Sequence, residues 1–383
     1  MVIPGPFEAP TCFWFDVYDG TIFRVDIDTD VLSASDMYQN EQQIMQQDHA
    51  EIKSFVTHDV FDIKLLNASM LKSMSCTWVR RWKWKQDPET KVWKRIIKCR
   101  LCVRGFLDPQ KGKLSKHSST STRLSQKLLC SLSCMNYGSP LEVESWDVSV
   151  AFLQGFSFAE MDKVCKELNI APPEFTRDAY ITVPENVWYH LRQLKVPGSE
   201  HACNKTHVLH LKKGIYGLAD APLLWQLCLR HFLIKTLNGR QSLYDENFFS
   251  WIAGGRIVAV MTVHVDDLCI AAESSWLAQR RSLLENRFGQ MSRQTLPFQH
   301  VGCTYSRLSD RGLSISQKAF AESIQLIVVD KSNDERAVTS AEQTSLRAAL
   351  GALLYLCLTR IDLLADVVLL QTKICCATVG DLK

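Results

Sequence analysis

An α+β fold is predicted from three observations: a basic stretch that alternates apolar and charged residues, an apolar run interrupted by two aspartates, and helical spacing that dominates towards the C-terminus. The 383 residues, 46% of them hydrophobic, can bury a large core and suggest two or three domains or subdomains. Disorder is excluded as the general state of such a chain. Net charge is only +3, so the placing of charge says more than its sum. Fourteen scattered cysteines point to reduced thiols rather than a disulfide framework. Cys99 and Cys102 have zinc-ligand spacing, but no second pair follows at finger distance, and two small strand residues is the preferred reading.

Residues 1–50 read as a poorly specified lead-in, polar and rich in Gln and Asp from Asp26 to Asp48. The start carries neither the basic nor the apolar region of a signal peptide, and no window approaches ~18 uninterrupted apolar residues, so a soluble, intracellular protein is expected. Between Lys72 and Arg104 there are eleven Lys or Arg against two acids. Trp78, Trp82 and Trp84 share one parity, with Arg80 as the exception, while Arg81, Lys83 and Lys85 share the other. Asp87-Pro88-Glu89-Thr90 is a turn signal, after which Trp93, Ile97, Cys99, Leu101 and Val103 form one face and Lys94, Lys98, Arg100 and Arg104 the other. This predicts a β-hairpin with an apolar and a cationic face, either an ordinary solvated surface or a surface for phosphates.

Ser118 to Gln126 is a polar loop with capping options that leads into a helix near Lys127 to Met135. A strand follows over Leu141 to Val148, with Asp147 between Trp146 and Val148. Next comes the run Arg256 to Ala272, whose apolar flanks around Asp266 and Asp267 predict a tight hairpin with acids at its turn. Ser274 to Gly289 has a Ser N-cap, helical spacing and a terminal Gly, and a second helix is expected around Thr344 to Thr359. The order is mixed α/β first, then mainly helical.

Two adjacent carboxylates in apolar surroundings are costly unless something compensates their burial and mutual repulsion. A divalent cation would do both, and Asp147, on a separate strand, could complete an oxygen site for Mg²⁺. Two such ions can clamp the attacking and leaving oxygens of a phosphoryl displacement.

These residues also fall in an order that resembles the reverse transcriptase domain of copia-type retrotransposons, from about Glu51 to the C-terminus. The motifs are Thr77-Trp-Val79, Lys98-Cys-Arg-Leu-Cys-Val-Arg-Gly-Phe106, Trp146-Asp-Val-Ser-Val-Ala-Phe-Leu-Gln-Gly155, Gly214-Ile-Tyr-Gly-Leu-Ala-Asp-Ala-Pro222 with Trp225, and His264-Val-Asp-Asp267. Val301-Gly302, Ser316-Gln317, and Leu350-Gly351 through Tyr355 to Thr359-Arg-Ile-Asp362 follow.

The resemblance implies a right-hand polymerase: fingers with the basic hairpin and a palm sheet with the acids within 51–273, and a helical thumb-like or connection-like region over 274–383. It implies that Asp147, Asp266 and Asp267 are the catalytic carboxylates holding two Mg²⁺ ions, with Mn²⁺ as an alternative. Lys98 and Arg100 would contact the triphosphate of a deoxynucleotide. Phe152 would lie under its sugar or serve the core, and Tyr216-Gly217 would form the pocket turn, Gly217 permitting close approach of template or base. Trp225 is read as a core anchor. The implied partners are an RNA or DNA template with primer and deoxynucleoside triphosphates, without a membrane. The implied location is a cytoplasmic virus-like particle, with the nucleus as a further site.

Three departures stand out from the family pattern: His264 for Tyr, Ala219-Asp220 for Lys-Gln, and Ile361 for Pro. None removes a metal ligand, and His264 is expected to affect primer positioning or fidelity. The 21 residues after Asp362 are too few for a ribonuclease H domain, and no integrase or protease motif precedes Glu51, so an isolated polymerase segment is expected.

Overall fold

The computed structural model describes residues 11–15, 22–26, 30–67, 70, 72–86, 92–135, 141–309, 312–324, 327 and 334–382. It divides into two compact units, residues 30–296 and residues 297–383 with 1–29. In the second, β1 (Thr11–Phe15) and β2 (Ile22–Asp26) form an antiparallel pair.

The larger unit begins with α1 (Ala34–Gln39) and α2 (Glu41–Thr57). Then come β3 (Phe61–Leu65) and the hairpin of β4 (Met74–Gln86) and β5 (Trp93–Val103). Its turn at 87–90 lies outside the described residues. The predicted alternation holds on β5, where Ile97, Cys99, Leu101 and Val103 are buried and Lys94, Lys98 and Arg100 are exposed. Cys99 and Cys102 therefore face opposite ways along the strand, as the small-residue reading requires.

Arg80, the exception to the pattern, has a partner. Its Nη2 lies 2.5 Å from Oδ2 of the fully buried Asp48 of α2, and the Asn186 amide donates to the same oxygen at 3.1 Å. The Trp78 indole in turn donates to Asn186 at 2.9 Å. Leu32 and Ile44 pack on Ile97 and Cys99, with Trp78 and Trp82 at the margin. The lead-in expected to end at residue 50 is thus, from about residue 30, an apolar and ionic backing for the hairpin. Its polar composition hid this because helix α2 buries only a narrow stripe: Ile44, Asp48, Glu51, Ile52 and Phe55.

The hairpin joins a five-stranded sheet in the order β3, β8 (His207–Leu211), β7 (Ala179–Thr182), β4, β5. Beneath it lies a core that includes Phe55, Ile181, Leu209 and Trp188 of α5 (Glu185–Gln193). Helix α3 (Arg123–Cys134) starts earlier than expected because Thr122 caps it, accepting from the Ser125 N–H at 3.2 Å, while Asp245 accepts from the Thr122 N–H at 2.8 Å.

A second sheet contains β6 (Glu142–Asp147), β9 (Arg240–Gln241), β10 (Phe248–Ala253), β11 (Arg256–His264), β12 (Asp267–Ala272) and β13 (Ser292–Thr295). The spatial order is β13, β6, β12, β11, β10, β9. On one face Met261, Val263, Leu268 and Ile270 meet Trp225 of α6 (Ala221–His231) and Leu284 and Phe288 of α7 (Ser274–Phe288). Helix α3 runs along β11 and β12, where Thr262 and Cys269 are also buried. A central hairpin covered on both faces must be apolar at every position, which is why Arg256 to Ala272 reads as a continuous run. Helix α4 (Met161–Glu167) packs Met161 and Val164 against Leu224 and Leu227 of α6.

Placing α7 with a C-terminal helical region is corrected by this packing: Trp276, Leu277, Leu284 and Phe288 are part of the sheet's core, so α7 belongs to the unit that ends at residue 296. Its N-cap position is Glu273; Ser274 lies inside the helix and its hydroxyl donates to Glu142 at 2.5 Å. Nor is the rest simply helical. A three-stranded sheet of β14 (Phe298–His300), β15 (Cys303–Ser309) and β16 (Gly312–Ser316) precedes α8 (Lys318–Ser323), α9 (Ser340–Leu356) and α10 (Leu364–Gln371). The late sequence motifs meet here. The Tyr355 hydroxyl donates to the Val301 carbonyl at 3.3 Å, and Thr359 donates to Gln317 at 2.9 Å. Gly302, at φ +71°, leaves room that a Cβ would take from the Tyr355 hydroxyl.

Two outcomes follow. Arg80→Met leaves Asp48 buried without its cation and should cost about 3 kcal/mol, read as a lower urea midpoint at unchanged slope. The Glu342 carboxyl, at the start of α9, is held down to about 2 by the Arg336 guanidinium and then by the Thr339 backbone N–H. Because its folded value lies below the unfolded one, its stabilising effect is complete above about pH 5 and is lost as pH falls towards 2. The protection factors of the amides of 339–343, taken against the intrinsic exchange rate at each pH, should fall over that interval, and unchanged protection would contradict the assignment.

Candidate active site

β6 ends at Asp147 and β12 begins at Asp267, and the antiparallel register makes the two Cα partners. Between His264 and Asp267, themselves paired, Val265 and Asp266 form a two-residue turn. Val265 has φ +59°, a left-handed conformation that costs a β-branched residue on the order of 1–3 kcal/mol. The turn is held from two sides. The Val148 N–H donates to the Asp266 carbonyl at 3.0 Å, and the Trp225 indole N–H donates to the Val265 carbonyl at 2.7 Å. Trp225 is thus a core anchor, as expected, and also a contact, which its apolar neighbours in sequence did not signal.

All three carboxylates are half-buried. Burial, followed by the charges of Asp266 and Asp147, pushes the Asp267 carboxyl up to about 7. Asp266 is also raised, mainly by burial and by Asp147, while Arg100 and Lys83 oppose the shift. The structure therefore brings Arg100 within electrostatic reach of the acids, and with it Lys83, which sequence reasoning placed on the cationic face without a role. Lys83 sits opposite Ile96, two pairs along from Arg81–Lys98 and on the same face as Arg81. Lys98 has Glu51, Arg100 and Lys83 as charged neighbours.

The Arg100 guanidinium lies 4.8 Å from the centre of the Tyr216 ring, and Phe152 meets that ring edge-on at 5.5 Å. Phe152 packs against the cores of both sheets, so the core reading holds for it and its pocket role is a matter for function. Burial pushes the Tyr216 hydroxyl up to about 12. Gly217, at φ +93°, makes a close approach to this chain's own backbone. A Cβ there would overlap the Val103 carbonyl, and one on Gly105 would overlap the Gly217 carbonyl, while the Val103 N–H donates to the Tyr216 carbonyl at 2.8 Å. This crossing joins the hairpin to the turn before α6.

The departures are absorbed locally. Asp220 is buried and bonded to Arg177 Nε at 3.1 Å, and the same guanidinium binds Asp108 at 2.6 Å, so the acid adds no free charge to the pocket. His264 is pushed down to about 4 by burial and then by the Arg123 charge, which leaves it neutral at pH 7, and its Nδ1 has no hydrogen-bond partner among the described residues. Arg360 and Asp362 form an exposed ion pair at 2.7 Å around Ile361.

Among the described residues no group of three or more His, Cys, Asp or Glu is arranged to hold a metal ion. The three acids are neighbours by register. Their chemistry fits a hard divalent cation: the donors are all carboxylate oxygens, and the proton affinity of Asp267 is raised by burial and then by the charges of Asp266 and Asp147.

The larger unit thus combines a sheet with paired carboxylates and a cationic hairpin in an α+β fold. Residues 175–335 match the family model for reverse transcriptase (RNA-dependent DNA polymerase). It is 23% identical over 336 residues to the retrovirus-related Pol polyprotein from transposon RE1 of Arabidopsis thaliana, covering 82% of this chain and 20% of that protein. With the corresponding RE2 polyprotein it shares 27% identity over 182 residues, 44% of this chain and 12% of that one. The chain thus spans a fifth or less of the length of these curated relatives. Similar solved structures include the foamy viral protease-reverse transcriptase in complex with double-stranded DNA, at 11% identity and TM-score 0.39, covering 83% of this chain and 42% of that one. Another is apo telomerase from Candida tropicalis, at 10% and 0.41, covering 87% and 58%.

Gly217→Ala should place a methyl group into the Val103 carbonyl at an unfavourable φ and destabilise the larger unit by about 3 kcal/mol or more. Thermal unfolding would check this, and a wild-type midpoint would contradict the crossing.

Proposed function

We propose that this chain is the RNA-directed DNA polymerase segment of a copia-type retrotransposon polyprotein, adding deoxynucleotides to a primer 3′-hydroxyl with release of pyrophosphate. The observation that carries the reading is the β6–β12 register, which puts Asp147 opposite Asp267, with Asp266 in the adjoining turn and Arg100 and Lys83 within reach of the acids. In this reading Asp147 and Asp266 would hold two Mg²⁺ ions, and Asp267 supports them. When bound, the ions lower the pKa of the attacking hydroxyl and neutralise triphosphate charge.

The chain's own residues do the rest. Arg100, already stacked on Tyr216, and Lys83 draw the triphosphate towards the acids, and Lys98 extends the same cationic face. Phe152, braced by Tyr216, forms the floor under the sugar, where a bulky ring would crowd a 2′-hydroxyl. Template and primer would be held largely through phosphates, with affinity that falls as salt rises.

The alternative is a nucleic-acid-binding remnant that has lost turnover. Primer extension on poly-rA/oligo-dT with Mg²⁺ decides between them. Asp266→Asn should lower extension on the order of 10²–10³-fold with template binding retained. Template binding without extension by either protein would establish the remnant.

A further inference from the structure

We infer that Trp225 is a positioning residue for Asp266, its indole N–H locking the peptide between Val265 and Asp266 in the orientation that presents the carboxylates. The inference rests on the polymerase reading for what those carboxylates do, and goes beyond it in naming what holds them.

The turn has an intrinsic weakness. Valine at φ +59° is in a region that L residues with a branched Cβ avoid, and such a conformation persists only where the surroundings over-determine it. The orientation of the turn's central peptide is a separate variable: its rotation, the change that interconverts turn types, alters ψ of Val265 and φ of Asp266. That peptide contributes the Val265 carbonyl and the Asp266 N–H. Its carbonyl is the group that Trp225 binds, at 2.7 Å. A flip would break that contact and re-aim the Asp266 side chain.

The Asp266 carbonyl is secured separately by the Val148 N–H, so β6 anchors the turn's second residue and α6 its first. Trp225 is suited to the task because it has no freedom of its own: it is 1% exposed and stands edge-on to Phe288 at 5.3 Å. Val265 itself packs against the core cluster that contains Trp225. The helix that carries the indole follows directly on the Tyr216-Gly217 turn, so the clamp ties the nucleotide-pocket side of the site to the carboxylate side.

The test compares the full chain with Trp225→Phe and with a protein carrying β-(3-benzothienyl)alanine at 225, which keeps the bicyclic shape and lacks the N–H. Mn²⁺ binding, followed by electron paramagnetic resonance, is measured beside steady-state primer extension. For the isostere we expect a melting temperature within about 2 °C of wild type. Its Mn²⁺ affinity should be at least about fivefold weaker and kcat about tenfold lower, with KM for the nucleotide within about twofold.

Wild-type Mn²⁺ affinity and kcat in the isostere would overturn the inference, as would a rise in KM at unchanged kcat. If Trp225→Phe fails to fold, the isostere alone decides. If the wild-type chain binds Mn²⁺ without extending a primer, the polymerase reading fails while the Mn²⁺ comparison still judges Trp225. If it binds no Mn²⁺, both fail.

Discussion

Antiparallel pairing of β6 with β12 is the constraint on which the site depends. A carboxylate can stay at the edge of an apolar sheet only where a strand ends and water reaches it, and the pairing puts two strand ends side by side, Asp147 against Asp267. A one-residue slip in this register would send Leu268 and Ile270 to the other face of the sheet and separate the acids. Burial of the hydrophobic side chains on both faces, each worth about 1.5–3 kcal/mol, therefore holds the polar site in register.

The cationic side of the site is held by a different means. β5 is an edge strand, and its free N–H groups are taken by other parts of the chain: Leu101 donates to the buried Glu51 at 3.3 Å and Val103 to the Tyr216 carbonyl at 2.8 Å. The Arg80–Asp48 pair backs the same hairpin from the other face. A buried ion pair of this kind is weak evidence of net stability, but it specifies one seating of α2 on the hairpin, because any other leaves a charge unpaired. The outward cations are thereby fixed relative to the acids.

Two unusual residues change meaning once the fold is known. Asp220 reads in sequence as an acid near a site for anions, yet Arg177 binds it together with Asp108, so its effect is structural. His264 reads as a polar replacement beside the acids, and its burial keeps it uncharged, so it adds no positive charge where cations would compete.

By itself the sequence determined the local pattern: the two-faced hairpin, the strand carrying Asp147, the apolar hairpin with acids at its turn, and the helices of residues 274–289 and 344–359. Each of these is written in a short period or a capping residue, so neighbouring positions suffice to read it. The ordered motifs also named Arg100, Tyr216 and Phe152, which do come together. What joins distant residues was decided only by the tertiary structure. The role of Gly217 against Val103, the electrostatic reach of Lys83 towards the acids, and the bond from Trp225 to Val265 all depend on strand register and helix placement. So does the division at residue 296, because α7 looks like any amphipathic helix until Trp276 and Phe288 are seen in the sheet's core. The physical reason is common to all four: a side chain's type is local, but the partner it meets is set by which strands pair and which faces are buried.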